Sequence, residues 1–215
     1  MIISAGRRYI FVHIPKTGGT ALSLSLEERA MKDDILIGDT PKAKSRRKRL
    51  KAVQTAGRLW KHSTLADIDG LVDAGQLDDY LLFTLVRNPW DRMVSYYHWL
   101  QTQDFDHHAV RLAQRLPFAG FLAEDHIQRS IKASPYGHYL RDATGTERQA
   151  LFVRLEHLLT DLAPLEAHLG FRLGPIPRVN ASPRNADYRL YYSDKTAEMV
   201  AEICAADIRR FQYAF

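Results

Sequence analysis

The sequence predicts one α/β domain of three layers, α/β/α, around a central, mainly parallel sheet. Three observations predict it. Strand-length apolar runs at 8–14, 80–87 and 150–155 are separated by helix-compatible stretches, and strands that alternate with helices pair in parallel. The first run is almost continuously apolar, as a strand covered on both faces must be, and the second also reads as buried. The chain has 215 residues, 46% hydrophobic and 26% charged, which suffices for a real core and excludes whole-chain disorder. A single domain over 1–215 is expected.

The first run, Arg8 to Ile14, ends in a turn at Pro15 to Gly19. A helix is expected from Thr20 to Met31, with Leu22 and Leu26 four apart. Residues 38–58 differ in character. Seven of the ten residues from Lys42 to Lys51 are Lys or Arg, so this segment is expected to be solvated, as a mobile basic insertion or an exposed helix. After the second strand, Asn88 and Pro89 open a helix as N-cap and first residue, with Asp91 in the first turn. Trp90, Met93, Val94, Tyr97 and Leu100 form its core-facing stripe. Residues 118–132 read as helix. The third strand leads into a helix to about His168, and Gly170 reads as its stop. The Pro-containing stretch 171–192 reads as an extended loop. The last helix is expected from Asp194 to Phe211, buried along Ala197, Val200, Ala201, Cys204, Ile208 and Phe211.

Thirty Lys and Arg against 25 Asp and Glu leave a formal net charge of +5. The isoelectric point near 9.3 leans toward anionic partners. One cysteine, Cys204, excludes an intrachain disulfide. No apolar run approaches the ~20 residues of a membrane span, and the first residues lack the order of a signal peptide, so a cytoplasmic location is expected. Nucleic acid is not an expected partner, because the basic run carries no aromatic residues for base stacking.

Two segments carry chemistry. Pro15-Lys16-Thr17-Gly18-Gly19-Thr20 joins a strand to a helix, and such a turn makes a phosphate cradle. Backbone N–H groups point inward, the helix N-terminus favours negative charge, and Gly18 and Gly19 let the backbone approach an oxyanion. Lys16 adds a charge, and Thr17 and Thr20 add hydroxyls. Lys16 precedes both glycines, unlike the lysine of the nucleotide triphosphatase loop. In the second segment, Arg87 to Tyr97, the strand ends in Arg87 where an ATPase keeps an Asp for Mg²⁺. A guanidinium there suits a second anion, with Ser95 as hydroxyl support.

Together the two segments resemble the sulfotransferases that use 3′-phosphoadenosine 5′-phosphosulfate (PAPS), most closely the bacterial and carbohydrate types. Lys16-Thr17-Gly18-Gly19-Thr20 resembles that family's 5′-phosphosulfate loop, and Arg87 to Tyr97 matches its R-x-P-x-x-R-x-x-S-x-Y segment. The likeness extends to Lys61-His62, Arg154-Leu155-Glu156, Asn180-Ala181-Ser182 and the segment from Tyr191 to Phe215, leaving out 32–58 and 103–147. It implies a P-loop-like sulfotransferase fold. It implies that Lys16, Thr17, Gly18, Gly19 and Thr20 hold the 5′-phosphosulfate, and that Arg87 and Ser95 hold the 3′-phosphate. It also implies that no metal enters the chemical step. The implied activity is in-line sulfuryl transfer from PAPS to an acceptor hydroxyl on a carbohydrate or glycolipid.

Such transfer needs a general base and a cation on the leaving phosphate. Lys16 is the candidate cation. His62 resembles the family's Lys-His position, and imidazole titrates near neutrality. His13, inside the first strand, reads as a core histidine whose nearness to the cradle keeps it as an alternative base, and His98 as a packing residue that could line the site. His107 and His108 with Asp104 and Asp106 lack metal-ligand spacing. Arg184 and Arg189 could add phosphate contacts or be solvated. Glu156 could orient a neighbour or form a buried pair with Arg154. A kinase or nucleotide hydrolase on a related fold, and a non-catalytic binder of anionic glycan, are the competing readings. The basic run 42–51 suits an anionic acceptor or surface.

Overall fold

A computed structural model describes residues 1–177, 179 and 184–215. In chain order the elements are β1 (Ile2–Ser4), β2 (Tyr9–Val12), α1 (Gly19–Glu28), β3 (Ile35–Leu36), α2 (Pro41–Arg46), α3 (Ala74–Asp79), β4 (Leu81–Val86), α4 (Pro89–Gln101), α5 (His108–Arg115), α6 (Phe118–Ala123), α7 (Asp125–Ala133), β5 (Leu151–Arg154), α8 (Leu158–Asp161), α9 (Ala163–Leu169), α10 (Asp194–Ile203) and α11 (Ala205–Phe211). The chain divides into two compact units. One comprises Met1–Val86 and Tyr136–Val179, the other Arg87–Pro135 and Asn180–Phe215.

The first unit holds the sheet, in the order β3-β1-β2-β4-β5. β2, β4 and β5 are mutually parallel, as the three apolar runs predict, with Ile10 opposite Leu82 and Leu85 opposite Val153. β1 and β3 add a hairpin-side extension: β1 runs antiparallel to both β2 and β3. Three and two residues are too short to show a periodicity, so the sequence pattern passes over both. Alternation along the strands sorts side chains onto two faces. Ile2, Tyr9, Phe11, Phe83, Leu85 and Val153 pack with Leu22 and Leu26 of α1 and Leu165 of α9. Ile3, Ile10, Val12 and Leu82 pack on the other face with Leu65, Ile68, Val72, Leu77 and Leu140. The sheet is thus covered on both sides, the arrangement predicted.

The basic segment is helical. Thr40 caps α2 by accepting from the Ala43 N–H at 3.2 Å, Pro41 occupies the first position, and a 3₁₀ turn, Arg47–Leu50, continues it. Three cations reach backbone carbonyls of the chain that leaves α1. Lys42 donates to Glu27, Arg46 donates to Met31 at 2.7 Å and to Asp34 at 3.2 Å, and Arg49 donates to Lys32. Cations belong at such a carbonyl-rich helix end. Lys44, Arg47, Lys48 and Lys51 are exposed.

The second unit is helical, with a core of its own. Trp90, Met93, Val94, Tyr97 and Leu100 of α4 pack with Val110, Phe118, Phe121, Leu122, Ile127, Val200 and Cys204. The helix expected over 118–132 is two helices, because the backbone at Glu124 is extended (φ −68°, ψ 122°). The last helix also breaks, at Cys204 (φ −105°, ψ 15°). The expected extended loop contains a 3₁₀ turn, Tyr188–Tyr191, started by Asp187 accepting from the Arg189 N–H. Gly170 ends α9 with φ +73°, as expected. Among the described residues no helix is long and apolar enough to cross a membrane.

Candidate functional site

In the first unit the site is built where β2 and β5 end. Ligands of open α/β sheets lie beyond the carboxyl ends of their strands. Lys16 has φ +66° and Gly18 φ +88°, so the loop turns twice through the left-handed region before α1 begins. For Lys16 this costs about 1 kcal/mol, since its Cβ crowds the following carbonyl. Gly18 is the N-cap of α1, and no side chain among the described residues caps it. The first N–H groups of a helix have no partners within it, so this end is poised for an anion.

Both glycines are held to their type by neighbours. A Cβ on Gly18 would stand 2.9 Å from the Leu155 side chain, and a Cβ on Gly19 would fall on the ring of His13. The Thr17 hydroxyl, fully buried, donates to the Ile14 carbonyl at 2.9 Å. Its proton closes the turn from within, so what Thr17 offers a ligand is backbone rather than the hydroxyl donor expected.

His13 is the link between the loop and His62. Its ring is buried over Gly19, stacks on Phe11 at 5.9 Å and meets the His62 ring edgewise at 4.7 Å. Its carbonyl lies 2.8 Å from Nδ1 of His62. A carbonyl can only accept, so Nδ1 carries the proton and Nε2 of His62 keeps the lone pair. Burial pushes the His62 pKa down to about 4 and lowers that of His13 well below its ordinary value. Burial thus favours the neutral imidazole and draws its titration below the near-neutral range expected of it, with the Nε2 lone pair left as an acceptor.

The turn that carries His62 is locked by Ser63, fully buried. Its hydroxyl accepts from the Trp60 N–H at 2.9 Å and lies 2.9 Å from the Arg58 and Trp60 carbonyls. Lys61 pairs with Asp39 at 2.7 Å. A small cleft, with room for about one water molecule, is lined by His13, Thr20, Ser23, Glu27, Asp39 and Lys61. Glu27 accepts from the Thr40 hydroxyl at 2.7 and 2.8 Å, and burial raises its pKa. Asp39 and Ser63 carry no signal in the sequence, because no motif or spacing distinguishes them.

In the second unit the cationic group is made of side chains. Nε and Nη2 of Arg87 lie 2.8 and 2.7 Å from Oδ2 of Asp91, one helical turn on. Nη2 of Arg184 lies 2.5 Å from Oδ1 of the same carboxylate. Two guanidiniums thus share one carboxylate. The Arg87–Asp91 spacing of i, i+4 is a signal that sequence alone carries; the arrival of Arg184 is not. Ser95 is buried on α4, two turns past Arg87. Asn88 caps α4, its Oδ1 accepting from Trp90 and Asp91 N–H at 3.0 and 3.4 Å, while its amide donates to Ala214 at 2.9 Å. Arg92 of the same segment is buried. His98 packs against Tyr191 at 5.0 Å. Its buried Nε2 has no hydrogen-bond partner among the described residues, and burial lowers its pKa.

Other candidates fall outside both groups. Glu156 is exposed, so of its two readings the buried one does not hold; the Arg154 guanidinium is bonded to Asp161 at 2.7 and 3.0 Å. Arg189 is exposed beside Asp187. Asn180 and Ser182 lie outside the described residues. His107 caps α5 through Nδ1, and among the described residues no cluster of His, Cys, Asp and Glu could hold a metal ion.

Comparison with known proteins adds two findings. A family model described as "Sulfotransferase family" matches residues 1–117. Among solved structures, the mouse sulfotransferase SULT7A1 complexed with PAP is similar in fold. Its TM-score is 0.54 at 17% identity, over 98% of this chain and 87% of that one. No curated protein is similar enough in sequence to count as a relative.

Proposed function

The chain belongs to the sulfotransferase family, and from that premise we propose that it transfers a sulfuryl group from PAPS to a hydroxyl of a carbohydrate acceptor, with His62 as the base. The observation that carries the reading is the tautomer of His62. Its Nδ1–H is held by the His13 carbonyl, and the same His13 packs its ring on Gly19 of the loop. One residue thereby ties a neutral imidazole to an anion cradle.

In this reading the loop from Lys16 to Thr20 holds the 5′-phosphosulfate through backbone N–H groups and the Lys16 ammonium. Arg87 and Ser95 hold the 3′-phosphate, and Arg184 joins them through Asp91. The reading is supported by the uncapped start of α1 and by the gathering of two guanidiniums, Arg87 and Arg184, at Asp91. The PAP bound by the mouse protein is the product that such a reaction leaves. As the acceptor oxygen bonds to sulfur, the bond from sulfur to the 5′-phosphate breaks. Nε2 of His62 takes the hydroxyl proton, and Lys16 stabilises the charge that returns to the phosphate. The exposed Lys44, Arg47, Lys48 and Lys51 would draw in an anionic acceptor.

Two experiments test this. Adenosine 3′,5′-bisphosphate should raise the melting temperature more than adenosine 5′-monophosphate; equal shifts would count against the assignment. His62→Asn should lower sulfate transfer about 10²- to 10⁴-fold while leaving bisphosphate affinity intact. Retained transfer in that variant removes His62 as the base.

A further inference from the structure

The fold sorts the basic segment into two rows. Lys42, Arg46 and Arg49 reach carbonyls of Glu27, Met31, Lys32 and Asp34, while Ala43 and Leu50 turn to the core. Lys44, Arg47, Lys48 and Lys51 are exposed on the outer side, spaced by three, one and three residues, the spacing of one helical face. No ion pair or hydrogen bond holds any of these four side chains among the described residues. From residue 40 to residue 66 the sequence has no Asp or Glu, so no carboxylate within the segment offsets the row. The row also stands apart from the phosphate loop. The loop opens α1 at Gly19, whereas the carbonyls that anchor the basic segment belong to the last turn of α1 and the chain beyond it. The ten residues of α1 put about 15 Å between those ends.

From Lys44 to Lys51 the helix and its 3₁₀ turn rise about 10–14 Å, so no single small anion touches all four cations. The row lies on the convex outside of a helix, which suits an extended chain with its charges in file. A bilayer suits it less, because peripheral helices add apolar burial to charge, and residues 41–51 expose no large apolar side chain. Single-stranded nucleic acid needs stacking partners, and no aromatic residue stands between Lys32 and Leu59. A duplex presents two phosphate rows about a groove, and here there is one row of cations. We propose that Lys44, Arg47, Lys48 and Lys51 form a docking row for a linear acidic polysaccharide, separate from the loop that holds the nucleotide. The choice of a polysaccharide over other polyanions rests on the carbohydrate acceptor proposed above; the row itself does not. A chain caught there is tethered about one helix length from the loop, which raises its local concentration at the loop only if it is long enough to span that distance.

The test titrates the full chain with polygalacturonate, galacturonic acid, a DNA duplex, and vesicles of phosphatidylglycerol and phosphatidylcholine. Polygalacturonate should bind, and free galacturonic acid should not displace it. Its affinity should fall about 10- to 50-fold as NaCl rises from about 50 to about 200 mM, as counterion release over about four contacts requires. Lys44→Gln, Arg47→Gln, Lys48→Gln and Lys51→Gln together should weaken polygalacturonate at least about tenfold and flatten that salt dependence. A control with Arg115→Gln, Lys132→Gln, Lys195→Gln and Arg209→Gln has the same net charge, lost from exposed positions on α5, α7, α10 and α11, and should bind like the parent. Bisphosphate affinity should hold at the parent value in both variants. Absence of polygalacturonate binding at the lower salt overturns the proposal. So does unchanged binding in the row variant, an equal loss in the control, displacement by galacturonic acid, or tighter binding of the duplex or the vesicles. If the parent binds polygalacturonate through the row but not the bisphosphate, the transfer reading fails and the row stands. If it binds the bisphosphate and not the polymer, the row fails and the transfer reading stands.

Discussion

The loop at 15–20 and the segment at 87–97 both follow a parallel strand and both open a helix, yet they present positive charge by different means. α1 starts at Gly18 with no side-chain cap among the described residues, so its first N–H groups are left to a ligand. α4 starts at Asn88, whose side-chain carbonyl oxygen already accepts from the Trp90 and Asp91 N–H groups. That helix end is closed, and charge has to come from the Arg87 and Arg184 guanidiniums gathered by Asp91. The lesson is that a helix start is an anion site only when its cap is missing. A backbone cradle also tolerates less than a side-chain cluster, because every atom that makes it belongs to the fold.

The largest effect that separates the two should come from Gly19→Ala. The added methyl would meet the His13 ring, so either the loop or the ring must move. We expect loss of bisphosphate binding and about 1–3 kcal/mol of stability. Calorimetry with His13→Ala in the same background sharpens the point: stability should return in part. No penalty in the single variant would show that the loop yields.

Arg87→Ala should be next. It removes charge-assisted bonds without disturbing a core, and should weaken the bisphosphate about ten- to a hundredfold while leaving the monophosphate unchanged. Arg184→Ala should do the same on a smaller scale. A titration in which both nucleotides weaken equally would place Arg87 elsewhere than on the 3′-phosphate.

The smallest effect is on stability against pH. The His62 pKa falls from 6.5 to about 4 on folding, through burial. The unfolded chain therefore binds a proton first as pH drops. His62 contributes stability that is whole above pH 6.5 and is lost as pH falls toward 4. His13 acts in the same direction. His62→Asn should flatten the decline of the melting temperature between those pH values; an unchanged slope would mean that the imidazole is solvated.

Much of the site is legible in the order of the residues. Lys16 to Thr20 and Arg87 to Tyr97 declare themselves because each needs particular residue types at adjacent positions, and local geometry is encoded locally. The central strands are legible because burial on both faces demands runs of apolar residues. β1 and β3 are not, being three- and two-residue strands whose only evidence is what they pair with. The break at Cys204 leaves no mark because the apolar stripe continues through it. The basic run shows in the sequence only as a density of cations; which of them reach carbonyls and which are left outward is a property of the folded surface.

By itself, then, the amino-acid order determined the phosphate-binding segments, the parallel strands and the candidacy of His62, all of them matters of neighbours along the chain. Only the tertiary structure decided which nitrogen of His62 is free, that Gly19 is held by His13, and that Asp91 answers to Arg184 as well as Arg87. These depend on groups 49, 6 and 93 residues apart, and contacts at such separations arise from packing that no local pattern specifies.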